Sequence, residues 1–236
     1  MNSTIHERPG VYSSYDASSV VGARAAGKIV GAAAVAAKGT ANRVETITSY
    51  EEGTEIFGAD TESAHGMSAL LKLLFANGAG TVKAVAVGSD DSGKADYESA
   101  FAALSEEEDV GIVVCDSAET TVHQSLKESV EGASAARRER IAVVGGKEET
   151  AAQMVSHARA INSERLVLVG PDVTLSDGTE RSAAFAAAAV AGVIAAGGST
   201  STPINGAALA GIGAVSRRLS DSEIDQLVRG GVTPLE

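Results

Sequence analysis

Cys115, with His123 eight residues on, pairs a thiol with an imidazole, the couple a nucleophilic cysteine needs because the thiolate attacks and a base must take its proton. Asp116 stands directly beside that thiol and would raise its pKa, so Cys115 reads as a small buried hydrophobe. Gly145-Gly146-Lys147 offers backbone amides and a cation to a phosphate. A phosphate loop, however, requires G-x-x-x-x-G-K-[ST], and Glu148-Glu149 after the lysine would repel an anion. Asp90, Asp91, Asp96, Asp116 and Asp172 could supply oxygen ligands to Mg²⁺ or Ca²⁺, but no D-x-[DN]-x-[DN]-G loop occurs, and such residues read as caps or solvated turns. His6, His65, His123 and His157 show no zinc-ligand spacing. No nucleophile elbow appears, and Gly211-Ile212-Gly213 is too short for a dinucleotide fingerprint. The expectation is therefore no catalytic, cofactor or metal residues, and no enzyme.

The elements that would position these residues follow from hydrophobic spacing. Short β-branched runs at 82–87, 110–114, 141–144 and 166–169 alternate with helical stretches at 94–104, 119–138 and 148–161. Such alternation predicts βαβ crossovers and an open, mainly parallel sheet with helices on both faces. In such a sheet ligands bind beyond the carboxyl ends of the strands. The loops there are Gly88-Ser89-Asp90-Asp91, Cys115-Asp116-Ser117, Gly145-Gly146-Lys147 and Gly170-Pro171-Asp172. Glu119 is expected in the first turn of its helix and Arg137 and Arg138 in the last, each matched to the macrodipole. Glu180 and Arg181 are expected to open a long Ala-rich helix that Gly197-Gly198 ends. Residues 183–198 are too short and too alanine-rich for a membrane span, so a buried helix is the better reading.

Upstream, 29–37 and 43–48 read as strands, Ser49 starts a helix that Gly58 stops, and Met67, Leu70, Leu71, Leu74 and Phe75 mark one apolar helical face closed by Asn77-Gly78. The chain thus divides into an arm at 1–22, a small N-terminal α+β region at 23–80 and an α/β domain at 81–236.

The 236 residues are 44% hydrophobic and 21% charged, which is globular. Aromatic residues are 3% with no Trp, so the core must consist of Ala, Val, Leu and Ile with close backbone approach. The formal charge of −12 lies mainly in the second part: residues 1–81 carry 6 basic and 8 acidic side chains, residues 82–236 carry 13 and 23. That excess argues against nucleic acid as a direct partner. Glu106-Glu107-Glu108-Asp109 reads as a solvated loop. One cysteine excludes an internal disulfide and fits a reducing cytoplasm, and no signal-peptide pattern opens the sequence.

The two ends carry the most specific pattern. Glu7-Arg8-Pro9-Gly10-Val11-Tyr12, then Lys28-Ile29-Val30-Gly31, then Thr48-Ser49-Tyr50-Glu51-Glu52 ending in Phe57-Gly58, resembles the opening of contractile phage tail sheath proteins. Pro203-Ile204-Asn205-Gly206, Ser220 to Leu227 and Gly230-Gly231-Val232-Thr233-Pro234 resemble the same family. The resemblance implies a structural subunit, without cofactor, that stacks in helical rings around a tail tube and contracts to drive the tube through a target envelope. It implies as partners other copies of the subunit, the tail tube protein, and baseplate and tail terminator proteins, with no direct nucleic acid and no membrane insertion. Assembly would occur in the bacterial host cytoplasm, into a virion tail, a tailocin or a related injection system.

In that family a terminal arm adds a strand to a neighbour's sheet, a mode resting on main-chain bonds. Carried onto this chain, Arg8, Pro9, Gly10, Val11, Tyr12 and Tyr15 form the subunit-interface arm, with the Ser-rich stretch and Gly22 to Gly27 as the hinge. Relative to the family pattern roughly the C-terminal third is absent, so this piece is expected to fold but polymerise poorly. Two alternatives stay open: an α/β small-molecule or nucleotide-binding enzyme using the loops at Gly88, Cys115 and Gly145, and a non-contractile subunit sharing the arm.

Overall fold

The computed structural model describes residues 28–59, 66–88, 93–147, 150–197 and 204–236. The arm residues Arg8, Pro9, Gly10, Val11, Tyr12 and Tyr15 and the hinge at 22–27 lie outside the described residues.

Ten strands and seven helices are described: β1 (Ile29–Val35), β2 (Val44–Ile47), α1 (Tyr50–Phe57), α2 (Gly66–Ala76), β3 (Val82–Val87), α3 (Lys94–Ser105), β4 (Val110–Cys115), α4 (Thr120–Ala135), β5 (Ile141–Gly145), α5 (Ala151–Ile161), β6 (Leu166–Gly170), β7 (Val173–Leu175), β8 (Glu180–Arg181), α6 (Ala183–Ala196), β9 (Ile212–Val215), α7 (Asp221–Arg229) and β10 (Val232–Pro234). Seven strands form one sheet in the order β10-β6-β5-β4-β1-β3-β2. Within this sheet, among the described residues, β2 alone runs antiparallel to its neighbour. The expected open, mainly parallel sheet is therefore present, and the described part of the stretch before β3 supplies β1, between β3 and β4, and the edge strand β2 to it.

Period-two alternation sorts the core onto two faces. Val30, Ala32 and Ala34 of β1 point toward α1, α2 and α6, whereas Ala33 points toward α3, α4, α5 and α7. The α6 side is built from small residues: Ala186 to Ala189, Ala191 and Ala195 are fully buried. A β-carbon on Gly192 would collide with the Leu74 carbonyl and Asn77, so glycine there sets how closely α6 crosses α2. The opposite face holds bulkier groups, including Phe101, Leu126, Met154 and Leu227, each contributing ~1.5–3 kcal/mol by leaving water.

Helix ends follow side-chain chemistry with local departures from expectation. The Ser49 hydroxyl accepts the Glu52 amide to start α1, and Gly58 at φ 89° stops it. Thr150 and Gln153 form a capping box, so α5 begins at Ala151 rather than at Glu148. Glu119 is the residue preceding α4, not part of its first turn, and Arg137 lies beyond the helix at φ 64° with Arg138 after it. The expected match of these charges to the α4 dipole is thus corrected. Glu180 and Arg181 form β8, and α6 opens at Ala183 after Ser182.

A three-stranded sheet in the order β8-β7-β9 lies beside the main one. Its strands are two to four residues long, and their pairing is set by contacts distant in sequence. Asn77 holds the approach to β9: its side chain donates to the Leu73 and Ala210 carbonyls and accepts the Ala210 amide, at 2.8 to 2.9 Å. Replacing Asn77 by Ala orphans both Ala210 groups and should cost about 1–3 kcal/mol. Hydrogen exchange should then speed up selectively across 207–216, and unchanged exchange there would show that other contacts hold the segment.

Candidate functional site

The chain runs from β1 to β3 on one side and then to β4 on the other, which places the topological switch point between β1 and β4. Asp116 occupies the carboxyl end of that position. Its Oδ2 accepts the Val35 amide at 3.0 Å and its Oδ1 accepts the Tyr97 hydroxyl at 2.6 Å. The first residue of α2, Gly66, presses on the same carboxylate, and a β-carbon there would collide with it. Burial raises the Asp116 carboxyl from 3.8 to about 6, against the two hydrogen bonds, which lower it. The Tyr97 hydroxyl is held protonated by burial and then by the Asp116 charge. A ligand crevice in other open α/β sheets is here occupied by a carboxylate joining β1, β4, α2 and α3.

Beside it lies a histidine pair. His123 and His157 are buried, with rings stacked at 5.0 Å between centroids. His123 Nε2 lies 2.8 Å from the Ser117 carbonyl, which only accepts, so that nitrogen carries a proton. Its Nδ1 then faces His157 Nε2 at 2.9 Å across a single shared proton. Both nitrogens of His123 are thereby engaged. Cys115 is fully buried, its Sγ points to the Ser117 carbonyl at 3.8 Å, and burial followed by the Asp116 charge pushes the thiol pKa up. The imidazole is thus engaged elsewhere, and the thiol is held in its weakly nucleophilic form.

The remaining loops serve the helices. A β-carbon on Gly145 would overlap the backbone of Ala183 and Ala184, so this glycine admits the start of α6 rather than a phosphate. Asp172 Oδ1 accepts the Ala183 amide at 2.8 Å and caps that helix, and Asp96 accepts the Gly93 amide at 2.9 Å at the start of α3. Lys147 pairs with Glu119. Asp90, Asp91, His6, His65, Glu148 and Glu149 lie outside the described residues. Among the described residues no group of three or more His, Cys, Asp or Glu side chains is arranged to hold a metal ion. In the acidic run expected as solvated, Glu107 and Asp109 both pair with Lys83 at 2.5 Å, and Arg140 donates to the Leu104 and Glu107 carbonyls.

A groove of about 890 Å³ is lined by residues of both β9 and β10, which belong to different sheets. Consecutive residues of both strands contribute to it together with Val190, Leu209 and Val228, and among the described residues Glu236 is the only charged side chain in its wall. Val228 is 59% exposed. Each of these two strands is paired on one side only among the described residues.

Sequence reading found the loops at the strand ends but not the contacts that fill them. Asp116 and Val35 are separated by 81 positions and His123 and His157 by 34. The signal for the second pair was the helix face: His123, Leu126 and Val130, like Met154, His157 and Ile161, repeat at apolar-face spacing.

The family model for the phage tail sheath protein central domain matches residues 90–236. A sheath tail protein from Desulfitobacterium hafniense shares the fold over 95% of this chain and 71% of its own, at 15% identity and TM-score 0.70. One from Listeria innocua does so over 88% of this chain and 65% of its own, at 14% identity and TM-score 0.69. The anti-feeding prophage helical sheath in its contracted state matches over 98% of this chain and 64% of its own, at 16% identity and TM-score 0.61. The chain thus spans 64 to 71% of the length of these three proteins. Among curated proteins none matches the sequence.

The raised Asp116 pKa sets a pH dependence. The native state binds this proton more tightly than the unfolded chain, so the stabilisation is complete below 3.8 and is lost as pH rises through about 6. Asp116→Asn keeps an acceptor for Val35 and a partner for Tyr97 without the charge. Its stability relative to wild type should be higher at neutral pH than at pH ~4, by up to about 3 kcal/mol. A difference independent of pH, measured by urea unfolding, would show that the carboxyl does not titrate in this range.

Proposed function

We infer that this chain, which belongs to the phage tail sheath protein family, acts as a structural subunit of a contractile tail sheath. The family match over 90–236 carries the reading, and the fold common to sheath proteins along nearly the whole chain supports it. In this role the subunit stacks with copies of itself in helical rings around a tail tube and meets baseplate and terminator proteins at the two ends. Assembly takes place in the host cytoplasm, and the finished particle is a phage tail or a phage-tail-like device. The protein's work is mechanical, with no catalytic step: the body moves as a unit while connections between bodies persist.

Those connections are assigned to the N-terminal arm. Arg8, Pro9, Gly10, Val11, Tyr12 and Tyr15 supply an extended segment for a neighbouring subunit, Pro9 sitting where no amide donor is needed. The ligand-binding alternative gains nothing from the loops at Cys115 and Gly145, whose space is taken by α2, α6 and the Asp116 network.

Expressed from its intact gene, the protein should form tubes of stacked rings in negative-stain electron microscopy. Removing residues 1–22 should abolish the tubes while moving the thermal midpoint by less than about 2 °C. Dispersed particles from both forms would contradict the sheath role. A large fall in midpoint would show instead that the arm packs on its own subunit.

A further inference from the structure

The sequence contains Asn-Gly twice, at Asn77-Gly78 and Asn205-Gly206, and the fold treats the two in opposite ways. Asn-Gly is the dipeptide most prone to lose its side-chain amide, because glycine has no side chain to hinder attack by its own amide nitrogen. Asn77 is 9% exposed. Its Nδ2 donates to the Leu73 and Ala210 carbonyls, its Oδ1 accepts the Ala210 amide, and the Gly78 amide is bound to the Phe75 carbonyl at 3.1 Å. Both the electrophile and the nucleophile are held in place there.

Asn205 and Gly206 sit at the tip of a four-residue turn closed by the Ala207 amide on the Ile204 carbonyl at 3.0 Å, with Gly206 at φ 74°. Both are exposed. Among the described residues neither the Asn205 side chain nor the Gly206 amide makes a hydrogen bond. A β-carbon on Gly206 would meet nothing within 4 Å among the described residues, so the turn is not packed against that side of the glycine. Asn205 also forms part of the wall of the groove between β9 and β10.

We propose that Asn205 is a site of spontaneous deamidation in the folded protein, whereas Asn77 is protected. The Gly206 amide nitrogen attacks Cγ of Asn205 and forms the N–Cγ bond of a five-membered imide. The Cγ–Nδ2 bond breaks, and the nitrogen leaves as ammonia with the proton that Gly206 gives up. Water then opens the ring at either carbonyl, yielding an aspartyl or an isoaspartyl linkage. The net change is addition of water and loss of ammonia, with no oxidation. The product places a carboxylate in a groove wall whose only other charged side chain among the described residues is Glu236, and the isoaspartyl form lengthens the turn by one backbone carbon. The inference stands independently of the sheath role.

The test is peptide mapping by mass spectrometry after incubation of the 236-residue chain in mildly alkaline buffer, native and in concentrated urea. The two asparagines fall in separate tryptic peptides, each with no other Asn, and conversion adds about 1 Da. In the native chain Asn205 should convert within about threefold of its rate in urea, and Asn77 at least about tenfold more slowly than in urea. The Asn205→Ser variant should lose the gain in its peptide. Protection of Asn205 equal to that of Asn77 would overturn the proposal, as would equal native conversion of both or a gain that persists in Asn205→Ser.

Discussion

The close approach of α6 to the sheet is the constraint on which the other features depend. With no tryptophan and few aromatic rings, the chain fills this side of its core with alanine, so helix and strands must come within reach of very short side chains. Gly145 and Gly192 exist as glycines because α6 lies over one and α2 lies against the other. Asp172 caps α6 at its start, and the Ala195 carbonyl accepts the Lys28 amide near its end. A core of this kind gives little energy per residue but tolerates little displacement, since small groups cannot refill a gap. Such close packing favours a body that moves as a unit, in keeping with a proposed role in which subunits move relative to one another.

The same close packing fills the strand ends at Asp116. The space at the switch point is taken by one carboxylate bound to an amide, a hydroxyl and a helix start, and the neighbouring imidazoles bind each other and a carbonyl. Residues of catalytic type have become joints between elements. The raised pKa values of Asp116, Tyr97 and Cys115 follow first from burial, which is the common cause of such shifts in structural networks as well as in active sites.

Much of the main sheet was legible because fully buried parallel strands are written as continuous β-branched runs, as in Val110 to Val114, and their crossover helices have clear apolar faces. The place of β1 was not: Ile29 to Val35 is mostly glycine and alanine, and only its partners β3 and β4 show that it lies inside the sheet. β7 to β9 were missed because two to four residues carry no reliable period, and their pairing is set by contacts such as Asn77 with Ala210. Gly145 was legible as unusual but not for its reason, which is a helix distant in sequence. The family was legible in the two ends, where the pattern from Glu7 to Tyr12 and the segments near Ser220 and Gly230 are specific.

In the proposed contracting lattice the body formed by the described residues between 28 and 236 acts as one rigid unit. Cryo-electron microscopy of the assembled particle before and after contraction tests it most directly. The described body should superpose between the two states within about 1 Å, while neighbouring bodies change position and orientation. A shift of α2 and α6 across the sheet between the states would contradict it, placing the motion inside the subunit rather than between subunits.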